Sequence, residues 1–232
     1  MRNLQKMGGV TALIHSAAYL VGIGMYLTVL SPILDATPDQ YVALLADYQS
    51  TMYIWIFIAY LVSGFCLIVV SLALHEQLKA SSPAMMQTAT VIGFIWAGLI
   101  IASGNIMLHG FGQVADIYRQ NPAQAETVWL ALTIVENGIV SAHELTGGVW
   151  ILLLSWVAFR AGTLPRSLNV FGLIIGLAGI ISIVPPLAEI AVTIFGLSMI
   201  VWFAWLGIVL LRRSPTVEIK KRDAFVPRHT TP

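Results

Sequence analysis

The chain has 232 residues, of which 58% are hydrophobic and only 10% charged, with a formal net charge of +1. A soluble domain of this size carries about 25% charged residues, so this composition excludes a water-solvated globule and makes lipid the outer solvent. A single cysteine, Cys66, excludes an intrachain disulfide and any cysteine-pair metal or redox centre; within an apolar run it reads as a small packing residue.

Charged residues punctuate the chain. None lies between Lys6 and Asp35, Asp47 and Glu76, Lys79 and Asp116, Arg166 and Glu189, or Glu189 and Arg212. Each gap can hold the roughly 20 apolar residues that cross a hydrocarbon core. A further span ends at Arg160 and carries Glu136, His143 and Glu144. The chain thus reads as all-α, a polytopic bundle of about six membrane helices near 8–33, 51–75, 86–109, 139–160, 167–185 and 188–211. The first run follows Arg2 and Lys6 but is about twice as long as a signal-peptide core, so it reads as a retained membrane helix.

The first loop opens with Thr37-Pro38-Asp39, an N-cap, a first-turn proline and an acid, which predicts a short helix through Tyr48. Asn121-Pro122-Ala123-Gln124 repeats that logic before the fourth span. A continuous helix from Pro122 to Arg160 would be about 58 Å long, nearly twice the core thickness, so a break or strong tilt near Gly138 is expected. The short connections Glu76–Met85 and Ala161–Arg166 require antiparallel neighbours, and Pro185-Pro186 supplies a tight turn before the last span. The polar, basic segment 212–232 is expected to be a disordered tail.

Eleven of the twelve Lys and Arg residues fall on one side of this topology; the other side holds Arg119 alone. By the positive-inside rule both termini are expected in the cytoplasm. These basic residues flank membrane spans and no phosphate-binding glycine loop accompanies them, so no nucleic-acid partner is expected. The bilayer is the obligatory partner, and small-residue stripes are compatible with a homo-oligomer or a larger complex. Such stripes are Gly8, Thr11, His15, Ala18 and Gly22; Gly98, Ala102, Asn105 and His109; and Gly172, Gly176 and Gly179. Each is expected to face another helix.

Polar residues at membrane depth must be paired or must face water, which makes them functional candidates. Asn105, His109, Glu136, Asn137, His143, Glu144 and Glu189 all fall towards the outer side, where they could line one ligand-binding pocket if spans three, four and six adjoin. Four readings compete. Imidazoles with carboxylates suit a divalent metal, but no His-Glu-x-x-His motif is present. His109 and His143, the two histidines expected at similar depth, could hold a haem. Otherwise these groups pair with one another structurally, or line a pocket for a small or lipophilic ligand. His15, on the inner side, reads as a hydrogen-bonding residue between helices.

The run Glu136-Asn137-Gly138, His143-Glu144, Gly147-Gly148-Val149-Trp150 and Arg160-Ala161-Gly162-Thr163-Leu164-Pro165-Arg166, followed by a glycine-rich span ending in Val184-Pro185-Pro186, resembles a family of small bacterial membrane proteins. That family is catalogued as a domain of unknown function with about six helices. The resemblance implies a bacterial membrane location and brings no catalytic residue with it, so whether the chain is an enzyme stays open.

Overall fold

The computed structural model describes residues 2–30 and 37–212. Within them the chain is helical and contains no strand. Helix α1 (Arg2–Met25) runs on into a π turn, Tyr26–Leu30; α2 is Pro38–Asp47. Helix α3 (Gln49–Leu78) carries a π turn at Phe57–Val62. Then follow α4 (Pro83–Tyr118), α5 (Pro122–Ala161), α6 (Arg166–Ile181) and α7 (Ala188–Arg212). The protein is a polytopic helical membrane bundle: α1, α3, α4, α5 and α7 are each long and apolar enough to cross a bilayer.

Helix α6 departs from the expected span 167–185. It has 16 residues, about 24 Å of helix, because the backbone turns at Ser182 and Pro185–Leu187 forms a single 3-10 turn. It packs against both α5 and α7. Gly172 lies beside Ser155 of α5 and Trp202 of α7, whereas Gly179 lies beside Gly148 and Phe195. Rising numbers in α6 thus meet falling numbers in both neighbours, so it is antiparallel to each.

Two hydrogen bonds join the first and last helices. Gln5 Nε2 donates to the Leu210 carbonyl at 2.8 Å, and Ser16 Oγ donates to the Ile200 carbonyl at 2.8 Å. Helices α1 and α7 are therefore antiparallel, and the start of one lies beside the end of the other. Lys6, Arg160 and Arg212 share that end, called here the basic end.

The interior centres on Trp96, Trp150, Trp202 and Phe203, all nearly inaccessible. Trp150 stacks on Phe203 at 6.0 Å and meets Trp202 edge-on. Where lipid tails are as apolar as the core, such contacts and close backbone approach hold helices together. Gly148 shows the second effect: a Cβ there would lie 2.9 Å from both the Gly176 carbonyl oxygen and Gly179 Cα. The stripes on α1 and α6 face inward as expected. The α4 stripe does not, because Gly98, Asn105 and His109 are exposed.

The α4–α5 hairpin extends well past the expected span ends at 109 and 139. Helix α5 is unbroken over 40 residues, so the expected break at Gly138 is absent. A lone interior glycine costs only about 1 kcal/mol of helix stability, too little to open a helix that is packed on both sides of it. The first turn is capped by Asn121, whose side chain accepts from the Gln124 N–H at 3.2 Å. At the far end of the hairpin α2 covers both helices, burying Val42, Leu45, Met107, Phe111, Val114 and Ala125 in a second apolar cluster. At the basic end α5 stops at Gly162, whose φ of 63° favours glycine, and Thr163 N–H donates back to Ala158 at 3.2 Å. The expected tail lies, from Arg213 onward, outside the described residues.

Candidate functional site

Helix α1 packs on α3 and α7, while α5 packs chiefly on α4 and α6. A cavity of about 220 Å³ remains in the seam between the two groups. Tyr19, Gly22 and Tyr26 of α1 face Val140, His143 and Glu144 of α5 across it, and Trp55, Tyr60, Trp96 and Phe195 complete the walls. His143 is about 25 Å along α5 from Arg160, so the cavity lies away from the basic end, just beneath the α2 cluster. Tyr60 packs against both apolar clusters and marks the junction.

Local structure places these side chains. Tyr26 belongs to the π turn of α1, and Ala59 and Tyr60 to that of α3. A π turn inserts a residue into the helical repeat and re-aims the side chains that follow, which is why such turns recur at functional sites. Trp55 Nε1 donates to the Gly22 carbonyl at 2.9 Å, and the Cβ of Ala59 comes close to Gly22. Helix α1 is thereby held against the distorted segment of α3. On the opposite wall His143 is buried, with Nε2 hydrogen-bonded to Ser103 Oγ at 3.2 Å. Glu144 is half-buried. No Lys or Arg lines the cavity, and the two ion pairs among the described residues, Lys79–Glu76 and Arg119–Asp116, lie elsewhere.

Of the residues expected to share a pocket, His143 and Glu144 reach this cavity. Glu136 lies two turns further along the same face of α5, half-buried, within electrostatic reach of Tyr41. Asn105, His109, Asn137 and Glu189 are exposed on the outside of the bundle; Asn105 Nδ2 is bonded back to its own helix at the Ile101 carbonyl. The reason is angular. Ser103 faces His143, and Asn105 and His109 follow it by two and six residues, which turns both well away from α5.

The same geometry decides the haem reading. His109 is about 9 Å further along α4 than Ser103 and points outward, so it does not share a depth or a face with His143. These two residues do not fit a pair of axial ligands. Among the described residues no group of three or more His, Cys, Asp or Glu side chains converges as a metal site would require. His15 has the structural role expected of it, bonded to α3 at the Ser63 carbonyl.

Sequence reasoning missed the aromatic wall. Tyr19 and Tyr26 are seven residues apart on α1 with Gly22 between them, a stripe of hydroxyl-bearing rings at membrane depth that could have signalled it.

A family model described as a domain of unknown function, DUF4386, matches residues 8–213. No curated protein and no solved structure matches the chain.

Proposed function

The chain belongs to the DUF4386 family, a domain of unknown function, and from that premise we propose that it binds, or helps to move, a small or lipophilic ligand in the cavity between α1 and α5. One observation carries this reading: two π turns and the capped α5 converge on a mostly apolar chamber with a few polar groups, Tyr19, Tyr60, His143 and Glu144, directed at it. Concave apolar sites with sparse convergent polar groups are the common form of a small-molecule site. In the proposed orientation both termini are cytoplasmic and the cavity lies in the outer half of a bacterial inner membrane. The Lys and Arg distribution and the adjacency of the α1 start and the α7 end support that orientation.

Gly196 lines the cavity, and a Cβ there would meet nothing within 4 Å. Gly196→Leu therefore adds apolar bulk at the cavity wall from a position whose Cβ has open space. Protein in lipid nanodiscs, titrated with tert-butylbenzene and followed by tryptophan fluorescence, should show a saturable response from Trp55 and Trp96. Gly196→Leu should abolish it. An unchanged titration in the variant, or no saturable response in the parent, sinks the reading.

A further inference from the structure

We infer that the cavity selects a lipophilic organic cation, an amine or quaternary ammonium group on an apolar body; this rests on the reading of the cavity as a binding site. The argument begins with its charge. Glu144 is the one acidic residue in the lining, and no Lys or Arg accompanies it. Arg160 is the nearest basic residue in sequence on the same helix, about 24 Å along it. Arg119, at the far end, is engaged with Asp116 at 2.6 Å. No Lys or Arg lies in this lining and the neighbouring His143 is engaged with Ser103 at 3.2 Å, so a cationic ligand is the group that would supply the counter-charge an ionised carboxylate needs at membrane depth.

The walls point the same way. Tyr26 and Trp55 are stacked, with ring planes 24° apart and centroids 6.4 Å apart. Trp55 meets Tyr60 edge-on, at 77° and 5.8 Å. These three rings form one aromatic cluster in the cavity wall, and Trp96 and Phe195 add two more to the lining. The indole of Trp55 is held by its bond to Gly22. Aromatic faces carry negative quadrupole charge, and boxes of such rings bind ammonium groups. An anion would meet Glu144 with no compensating donor of positive charge. A neutral ligand would leave the carboxylate without a partner. A cation satisfies both the acid and the rings, while its apolar body fills the remaining space.

The test compares phenyltrimethylammonium with its uncharged isostere tert-butylbenzene, in nanodiscs of phosphatidylglycerol alone. The cation is expected to bind about tenfold or more tightly than the isostere, the order of difference that one carboxylate and an aromatic cluster supply. Glu144→Gln should remove most of that preference. Tyr26, partly exposed and away from the core, separates ring from hydroxyl: Tyr26→Phe should retain binding and Tyr26→Leu should weaken it several-fold. Equal binding of the two probes, with Glu144→Gln without effect, overturns the cation while leaving the cavity reading intact. Failure of both probes to bind removes the cavity reading as well. The source of the cation is read by competition. Displacement of the probe by dihexanoyl phosphatidylethanolamine identifies a lipid headgroup, and displacement only by dodecylamine identifies a free amphiphilic amine. Displacement by neither, or equally by dodecanol, overturns the inference.

Discussion

His15 Nδ1 lies 3.0 Å from the carbonyl oxygen of Ser63, the residue that follows the π turn of α3. A carbonyl only accepts, so Nδ1 carries the proton and the imidazole is held in one tautomer. The ring is wedged between Tyr19 at 4.9 Å and Phe203 at 4.1 Å, which ties α1, α3 and α7 together beneath the cavity. His15→Leu keeps the bulk and removes the donor. It should cost about 1 kcal/mol, the range for hydrogen bonds between membrane helices, in reversible unfolding of the protein in mixed micelles. A stability equal to that of the parent would show that the bond contributes nothing.

Gly148 predicts a larger loss. With backbone of α6 2.9 Å from its missing Cβ, Gly148→Leu must push α5 and α6 apart. Overpacking of this kind costs roughly 1–3 kcal/mol or more. Gly138→Leu, on the same helix but with open space around it, should be neutral or slightly stabilising, since leucine is the better helix former. The pair is measured by thermal aggregation in detergent, and equal effects would contradict the packing described.

Tyr41 predicts an alkaline transition in the α2 cluster. Burial pushes its phenol up to about 12, with the Glu136 carboxylate adding to the effect. It stacks on Trp129 at 4.6 Å. In the unfolded chain the phenol ionises near pH 10. The stability associated with the neutral ring is complete below that value and is lost as pH rises from about 10 to 12. The loss amounts to roughly 3 kcal/mol. Tyr41→Phe should flatten the fall between those pH values, and near pH 12 the phenolate absorbance of the parent should exceed that of the variant by one tyrosine. A variant with the same alkaline decline would refute this assignment.

Topology can be read by thiol labelling in a Cys66→Ala background. Gln120→Cys, at the far end of the α4–α5 hairpin, and Ser81→Cys, in the turn between α3 and α4, are both exposed positions. The proposed orientation requires the first to react with an impermeant reagent on intact cells and the second only after lysis. The reverse pattern would invert it.

The sequence alone determined that the chain lives in a membrane, because runs free of charge have no other stable solvent. It also determined that α3 and α4, and α5 and α6, are antiparallel neighbours, since their short connections leave no alternative. His143 and Glu144 were legible as residues of interest for the same reason: a polar group at membrane depth is costly and must be answered. The cap at Asn121 marked the start of α5, but the extension of α4 past residue 109 and the continuity of α5 through Gly138 were not legible, because this outer part is moderately polar and is held by packing under α2. Nor was the composition of the cavity. Depth follows from residue number, but the angle at which a side chain faces depends on how each helix is rotated against its neighbours. Contacts such as Gly148 with Gly179 and Trp55 with Gly22 set that rotation, together with two π turns that shift the helical repeat. The tertiary structure therefore turned Asn105 and His109 outward and gathered Tyr19, Tyr26, Trp55 and Tyr60 around Glu144.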